Sequence, residues 1–201
     1  GSDVIVTQND VVRVINGVGA IFRNDVDIDY RVTNVIIRKT PVYTVTGSTA
    51  ILGEIKDYWN ANHPKVVRDL CHLFTDRSMY NVIGVGWVGV VCHRVYGYAV
   101  SRSLAPVNIV NRYTLTAHEL GHNWGCPHCS NPPTTCNIMC GRTDPCFSDV
   151  SKDLIRAHRD SRSCLQKIDP RPNLIAVRKP ARGEQMVWSY KAGPRHFWFL
   201  T

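Results

Sequence analysis

Between residues 118 and 128 the chain runs His-Glu-Leu-Gly-His-Asn-Trp-Gly-Cys-Pro-His. Histidine and glutamate are residue types that hold transition metals and move protons, and their spacing here makes one centre of them. Four residues along a helix is slightly more than one turn, so His118 and His122 project from one face and reach one ion. Glu119 directly follows the first ligand and faces water held at the metal. Gly125 lets the chain leave the helix through a conformation that costs other residues a Cβ clash, and the turn brings His128 round as third ligand. Three imidazoles leave one position of a tetrahedral zinc open, as catalytic rather than structural zinc requires. One Zn2+ there would lower the pKa of a water it binds to about 7 and polarise a carbonyl. Glu119 would take the water proton and pass it to the leaving amine. A chance match to the five fixed positions in a chain of this length is on the order of one in 10⁵.

The elements that must position these groups follow from periodicity. Residues 111–124 form a predicted helix ending at Gly125, with Leu115 and Leu120 apolar. A helix is predicted over 9–22, with Val11, Val14, Ile15, Val18 and Phe22 on a broad face, and another over 50–62. Alternation from Val26 to Val32, continued to Ile37, predicts a half-buried strand, and 41–45 a short extended piece. Beyond Pro64 a further helix is predicted over 65–75. Residues 81–92 are β-branched and interrupted by Gly84, Gly86 and Gly89, a strand whose glycines mark a bulge or a close backbone approach. A loop follows it, and a last helix is expected from Ser151 to about Leu165.

Composition bounds the rest. At 201 residues and 44% hydrophobic, the chain suits one domain with a sizeable core. Its longest apolar run, Val82 to Val91, is far short of the ~20 residues of a membrane span, and no signal-peptide leader stands at the amino end. Of the net charge of +8, five units lie in residues 170–201, where six basic groups face Glu184, leaving three for the remainder. That placement argues against a nucleic-acid partner. Residues 169–201, with four prolines and an aromatic cluster, are expected to be a separate tail, and 1–168 the catalytic domain. Eight cysteines, five of them between 126 and 146, suggest a disulfide framework in a secreted protein, or else a second metal site. His63, His72, His93, His158 and His196 lack ligand spacing and are expected to be structural or solvated.

The long motif, followed by Cys136-Asn137-Ile138-Met139-Cys140, resembles the metzincins, with Met139 matching the methionine beneath the metal. Residues 69–75 and 83–92, Asn123 and Phe147-Ser148 resemble the reprolysin, or adamalysin-like, branch, over residues 2–166. The resemblance implies an α/β metzincin-like zincin domain: a twisted mixed sheet with an antiparallel edge strand, an active-site helix, and a smaller C-terminal subdomain after the zinc motif. It also implies that Gly84, Val85, Gly86 and Trp87 lie on an edge strand that pairs with extended substrate, which would account for the glycines. A specificity pocket would lie between the zinc helix and residues 138–148, and a Cys92–Cys164 bridge is implied. Where the branch has Asp after the third histidine, Cys129 stands here. No aspartate-rich calcium loop is present. The expected function is zinc endopeptidase action on proteins or peptides, the alternative an inactive module that holds zinc or peptide.

Overall fold

The computed structural model describes residues 2–38, 40–102, 108–131, 133–141 and 144–165. The expected tail, 169–201, lies outside them. The elements are α1 (Ser2–Val26), α2 (Ser48–Asn62), β1 (Cys71–Thr75), β2 (Gly84–Gly86), β3 (Tyr98–Arg102), α3 (Ile109–Asn123), a 3-10 turn (Ile138–Cys140) and α4 (Asp149–Asp160).

β3 is the centre of a mixed sheet in the order β1-β3-β2. β1 runs parallel to it, with Cys71 opposite Tyr98, and β2 runs antiparallel along the edge, with Val85 opposite Val100. Cys71, Leu73, Tyr98 and Val100 turn to one face, where they pack with Ile51, Leu52, Ile55 and Trp59 of α2. α3 lies across the other face and α1 behind it. α1 buries Val11, Ile15, Val18, Phe22 and Val26 against Ala117, Leu120 and Trp124, the i, i+3, i+4 stripe of an amphipathic helix. The two helices approach closely because Gly17 faces the Tyr113 ring, where a Cβ would fall 2.4 Å from Cδ1. Arg112 fixes their register with bonds of 2.7 and 2.5 Å to the Asp10 carboxylate.

The fold is the expected mixed α/β type, with several local corrections. Residues 65–75 are not a helix: Cys71–Thr75 is β1, because a short apolar run suits strand and helix equally until a partner decides. The strand expected over 26–37 has no ladder. Its alternation survives as burial, with Val26 and Ile28 buried and Asp27 exposed, since period-two patterning reports an extended half-buried backbone rather than a paired one. Of 81–92 only Gly84–Gly86 is strand. The expected loop after it contains β3, the central strand, whose first four residues are buried on both faces and show no alternation. α1 begins earlier than expected, at Ser2, and α4 ends earlier, at Asp160.

Candidate metal centre

Asn108 caps α3 by accepting from the Val110 N–H at 2.7 Å, and the helix carries His118 and His122 on one face. Gly125, at φ 83°, ends it in the left-handed region, and the chain returns so that His128 Nε2 lies 3.0 Å from His118 Nε2 and 3.1 Å from His122 Nε2. The other nitrogens of the two helical histidines are committed. His118 Nδ1 donates to the Ile138 carbonyl at 2.7 Å and His122 Nδ1 to that of Cys126 at 2.8 Å. A carbonyl only accepts, so both Nε2 atoms present lone pairs. Lone pairs converging at such distances repel unless a cation lies among them. Ligands of a tetrahedral zinc at ~2.05 Å stand about 3.3 Å apart, so the donor set fits one such ion, and the three histidines form the molecule's one all-histidine cluster among the described residues. Burial holds His118 down at about 4, assisted by the fields of His122 and His128 against the Ile138 bond. His122 is lowered mainly by burial as well. Neutral imidazole is the form that binds metal.

Glu119 is 4% exposed, and burial pushes its carboxyl up to about 8. It occupies space that β2 leaves open. A Cβ on Gly84 would fall 2.2 Å from Glu119 Oε1, and one on Gly86 2.5 Å from the Glu119 carbonyl. The strand's glycines are therefore required by the zinc helix beneath them, a reason the sequence reading missed by assigning them to bound peptide. β2 is stitched to the helix end: Gly89 N–H donates to the His122 carbonyl at 2.9 Å, Val90 N–H to that of Asn123 at 2.9 Å, and Asn123 Nδ2 donates to the Trp87 and Tyr98 carbonyls at 2.8 and 3.1 Å. Asn123 was legible only as part of the resemblance, and the two carbonyls that orient the histidines had no side-chain signal at all.

Met139, 1% exposed, lies against Gly121, where a Cβ would meet its Sδ at 2.5 Å, between the two helical ligands in sequence. Cys129 is bridged to Cys140, Cys136 to Cys146 and Cys92 to Cys164. Cys71 and Cys126 are free and buried. A second metal site in the cysteine cluster is thereby left without its thiolates. The Cys129–Cys140 bridge ties the residue after His128 to the residue after Met139, and Cys129 N–H donates to the Met139 carbonyl at 3.3 Å.

A cleft of about 830 Å³ opens over the centre, lined by Val82 to Gly86 on one wall, Asn111, Thr114, Leu115, His118, Glu119 and His122 on the other, and His128 and Ile138 at the end. Gly84, Val85 and Gly86 face it. Trp87 does not line it and packs instead with the α2 cluster. His72 is buried and bonded to Ser101 at 3.0 Å, and His158 sits against Gly125, both outside the cluster as expected.

The mixed sheet with its antiparallel edge strand, the helix beneath it and the histidine cluster at the helix end define a metzincin-like domain. A model of the family described as Reprolysin_5, metallo-peptidase family M12, matches residues 1–164. The chain belongs to that family of metallopeptidases.

Proposed function

We propose that the chain is a zinc endopeptidase that hydrolyses internal peptide bonds of proteins, with His118, His122 and His128 as the ligands of one zinc ion and Glu119 as general base. The observation that carries this reading is the convergence of three Nε2 atoms beside a buried carboxylate on the floor of an open cleft. Zinc bound there supplies a Lewis acid that acidifies water and polarises the scissile carbonyl. The chain's own residues do the rest. Ile138 and Cys126 fix the tautomers of the helical histidines. Glu119, walled in by Gly84, accepts a proton from the attacking water and delivers it to the departing amine. Positive charge at the histidines opposes the burial that raises its pKa, so the carboxylate is available as a base near neutral pH. The outer edge of β2, unpaired in the order β1-β3-β2, receives an extended peptide through main-chain hydrogen bonds, with Gly84, Val85, Gly86 and Trp87 as the residues beside it. Met139 supports the centre from below. Residues 1–168 form the catalytic domain and 169–201 a separate tail. The three bridges fit a secreted protein.

Cleavage of a quenched fluorescent peptide library, with zinc content measured on the same samples, tests this. Wild type cleaves and holds one zinc; Glu119→Ala holds one zinc and loses at least about 10³-fold in rate. Wild type that holds one zinc and binds peptides without cutting any would instead establish an inactive zinc- and peptide-binding module. Full activity in Glu119→Ala would remove Glu119 from the base role.

A further inference from the structure

On the α2 side of the sheet, away from the cleft, Arg68 is a guanidinium only 9% exposed. It lies over the Trp59 and Tyr98 rings, 5.8 and 5.0 Å from their centroids. Its donors reach Asn60 Oδ1 at 3.3 Å, the Val66 carbonyl at 3.3 Å, the Arg94 carbonyl at 3.0 Å and the Tyr98 hydroxyl. All four acceptors are neutral; burial pushes the Tyr98 phenol up to about 12. Asp69, next in sequence, does not supply the missing charge. Burial alone pushes its carboxyl up to about 6, and it clusters with Cys92 and Cys164 instead. A buried cation is ordinarily paired, and this one has no acid partner among the described residues.

Further cations gather around it. Arg94 Nη2 donates to the Pro64 carbonyl at 3.2 Å. Arg38 Nη2 meets His63 Nε2 at 3.2 Å and its guanidinium lies 5.0 Å over the Tyr58 ring. Lys65 is exposed beside Pro64. Burial lowers His63, and the fields of Arg38 and Arg68 lower it further, so the two guanidiniums act on one ring. None of Arg38, Lys65, Arg68 and Arg94 takes part in an ion pair among the described residues. Their four positive charges exceed the net three carried by the whole of residues 1–169. Such a concentration of one sign raises the local density of anions and steers them in.

We propose that the surface formed by Arg38, His63, Lys65, Arg68 and Arg94 binds a sulfated glycan chain. Guanidiniums pair with planar and tetrahedral oxyanions through two parallel donors, and the exposed Arg38, Lys65 and Arg94 offer such donors around a floor made by Arg68. The three disulfides call for an oxidising compartment, where the polyanions a protein meets are glycans rather than nucleic acid. None of the five residues lines the cleft, so a bound glycan tethers the protein and leaves the cleft open. The assignment stands apart from the peptidase reading.

The test is the affinity of the full chain for a heparin-derived octasaccharide in about 0.15 M salt, with its desulfated form and a single-stranded DNA of equal charge as comparisons. Because basic residues 171–195 also attract polyanions, two triple variants decide the site. Arg38→Gln/Lys65→Gln/Arg94→Gln weakens octasaccharide binding by about tenfold or more, while Arg13→Gln/Arg31→Gln/Arg162→Gln, outside the patch, changes it less than about threefold. Cleavage of a small peptide and the melting temperature stay at wild-type values in the patch variant. Equal losses in the two triples, or no octasaccharide binding by wild type, would overturn the proposal. So would DNA or the desulfated chain binding as tightly as the sulfated one, since the surface would then read charge alone.

Discussion

His118 and His122 project from a helix that is buried on one side by α1 and roofed on the other by β2, and a backbone carbonyl holds each ring. His128 stands on an exposed loop, and what holds that loop is covalent: the Cys129–Cys140 bridge that joins it to the Met139 turn. One side of the centre is fixed by packing that the sequence distributes over a dozen residues, the other by a single bond. Packing of this density tolerates little added volume, whereas a bridged loop tolerates surface change but depends on its redox state.

The packed side is the easier to break. In Gly84→Ala the new methyl meets the Glu119 carboxylate. Displacing the base by about an ångström lowers kcat/KM by about 10²-fold, while zinc content, which rests on the histidines, stays at one per chain. Loss of zinc along with activity would show that the strand supports the ligands rather than the base.

The bridged side is probed by Cys129→Ser/Cys140→Ser. Removing the tether frees His128 and weakens zinc by about tenfold in a competitive chelator titration, with full activity recovered at saturating zinc. Unchanged affinity would mean that the turn through Gly125 places His128 without covalent help.

A smaller effect sharpens the contrast by pH. His72 lies buried in the sheet on the packed side, and burial holds it down at about 3 against 6.5 for a free ring. A depressed histidine contributes stability that is complete above 6.5 and is lost as pH falls from there toward 3. Asp69, raised to about 6, works the other way over the window from 6 down to 3.8, so a variant is needed to isolate His72. Between pH 7 and 5.5 the wild type should lose about 3 °C more in melting temperature than His72→Gln. Parallel melting curves would remove His72 from the acid response.

Much of the centre was legible because a helix of fixed pitch converts spacing into direction. His118, Glu119 and His122 needed only four residues per turn, and His128 only a glycine able to turn back. Met139 and the Cys92–Cys164 bridge came through resemblance. β3 was not legible, since a central strand buried on both faces shows no period, and Tyr98-Ala-Val-Ser carries no turn signal to bound it. Nor was the tight seat of Glu119 under Gly84, because a glycine announces that something comes close without naming it. The carbonyls of Cys126 and Ile138 belong to the backbone, and no residue type marks them.

Cys71 and Cys126 remain unpaired among eight cysteines, both buried. Burial raises both thiols well above their usual range, which removes the thiolate that disulfide exchange requires. Cys126 lies only three residues from Cys129, close enough in a slack chain to capture the wrong partner. The order of events during maturation therefore matters: the hydrophobic collapse that covers Cys126 has to precede closure of the Cys129–Cys140 ring. Oxidation ahead of collapse yields scrambled chains.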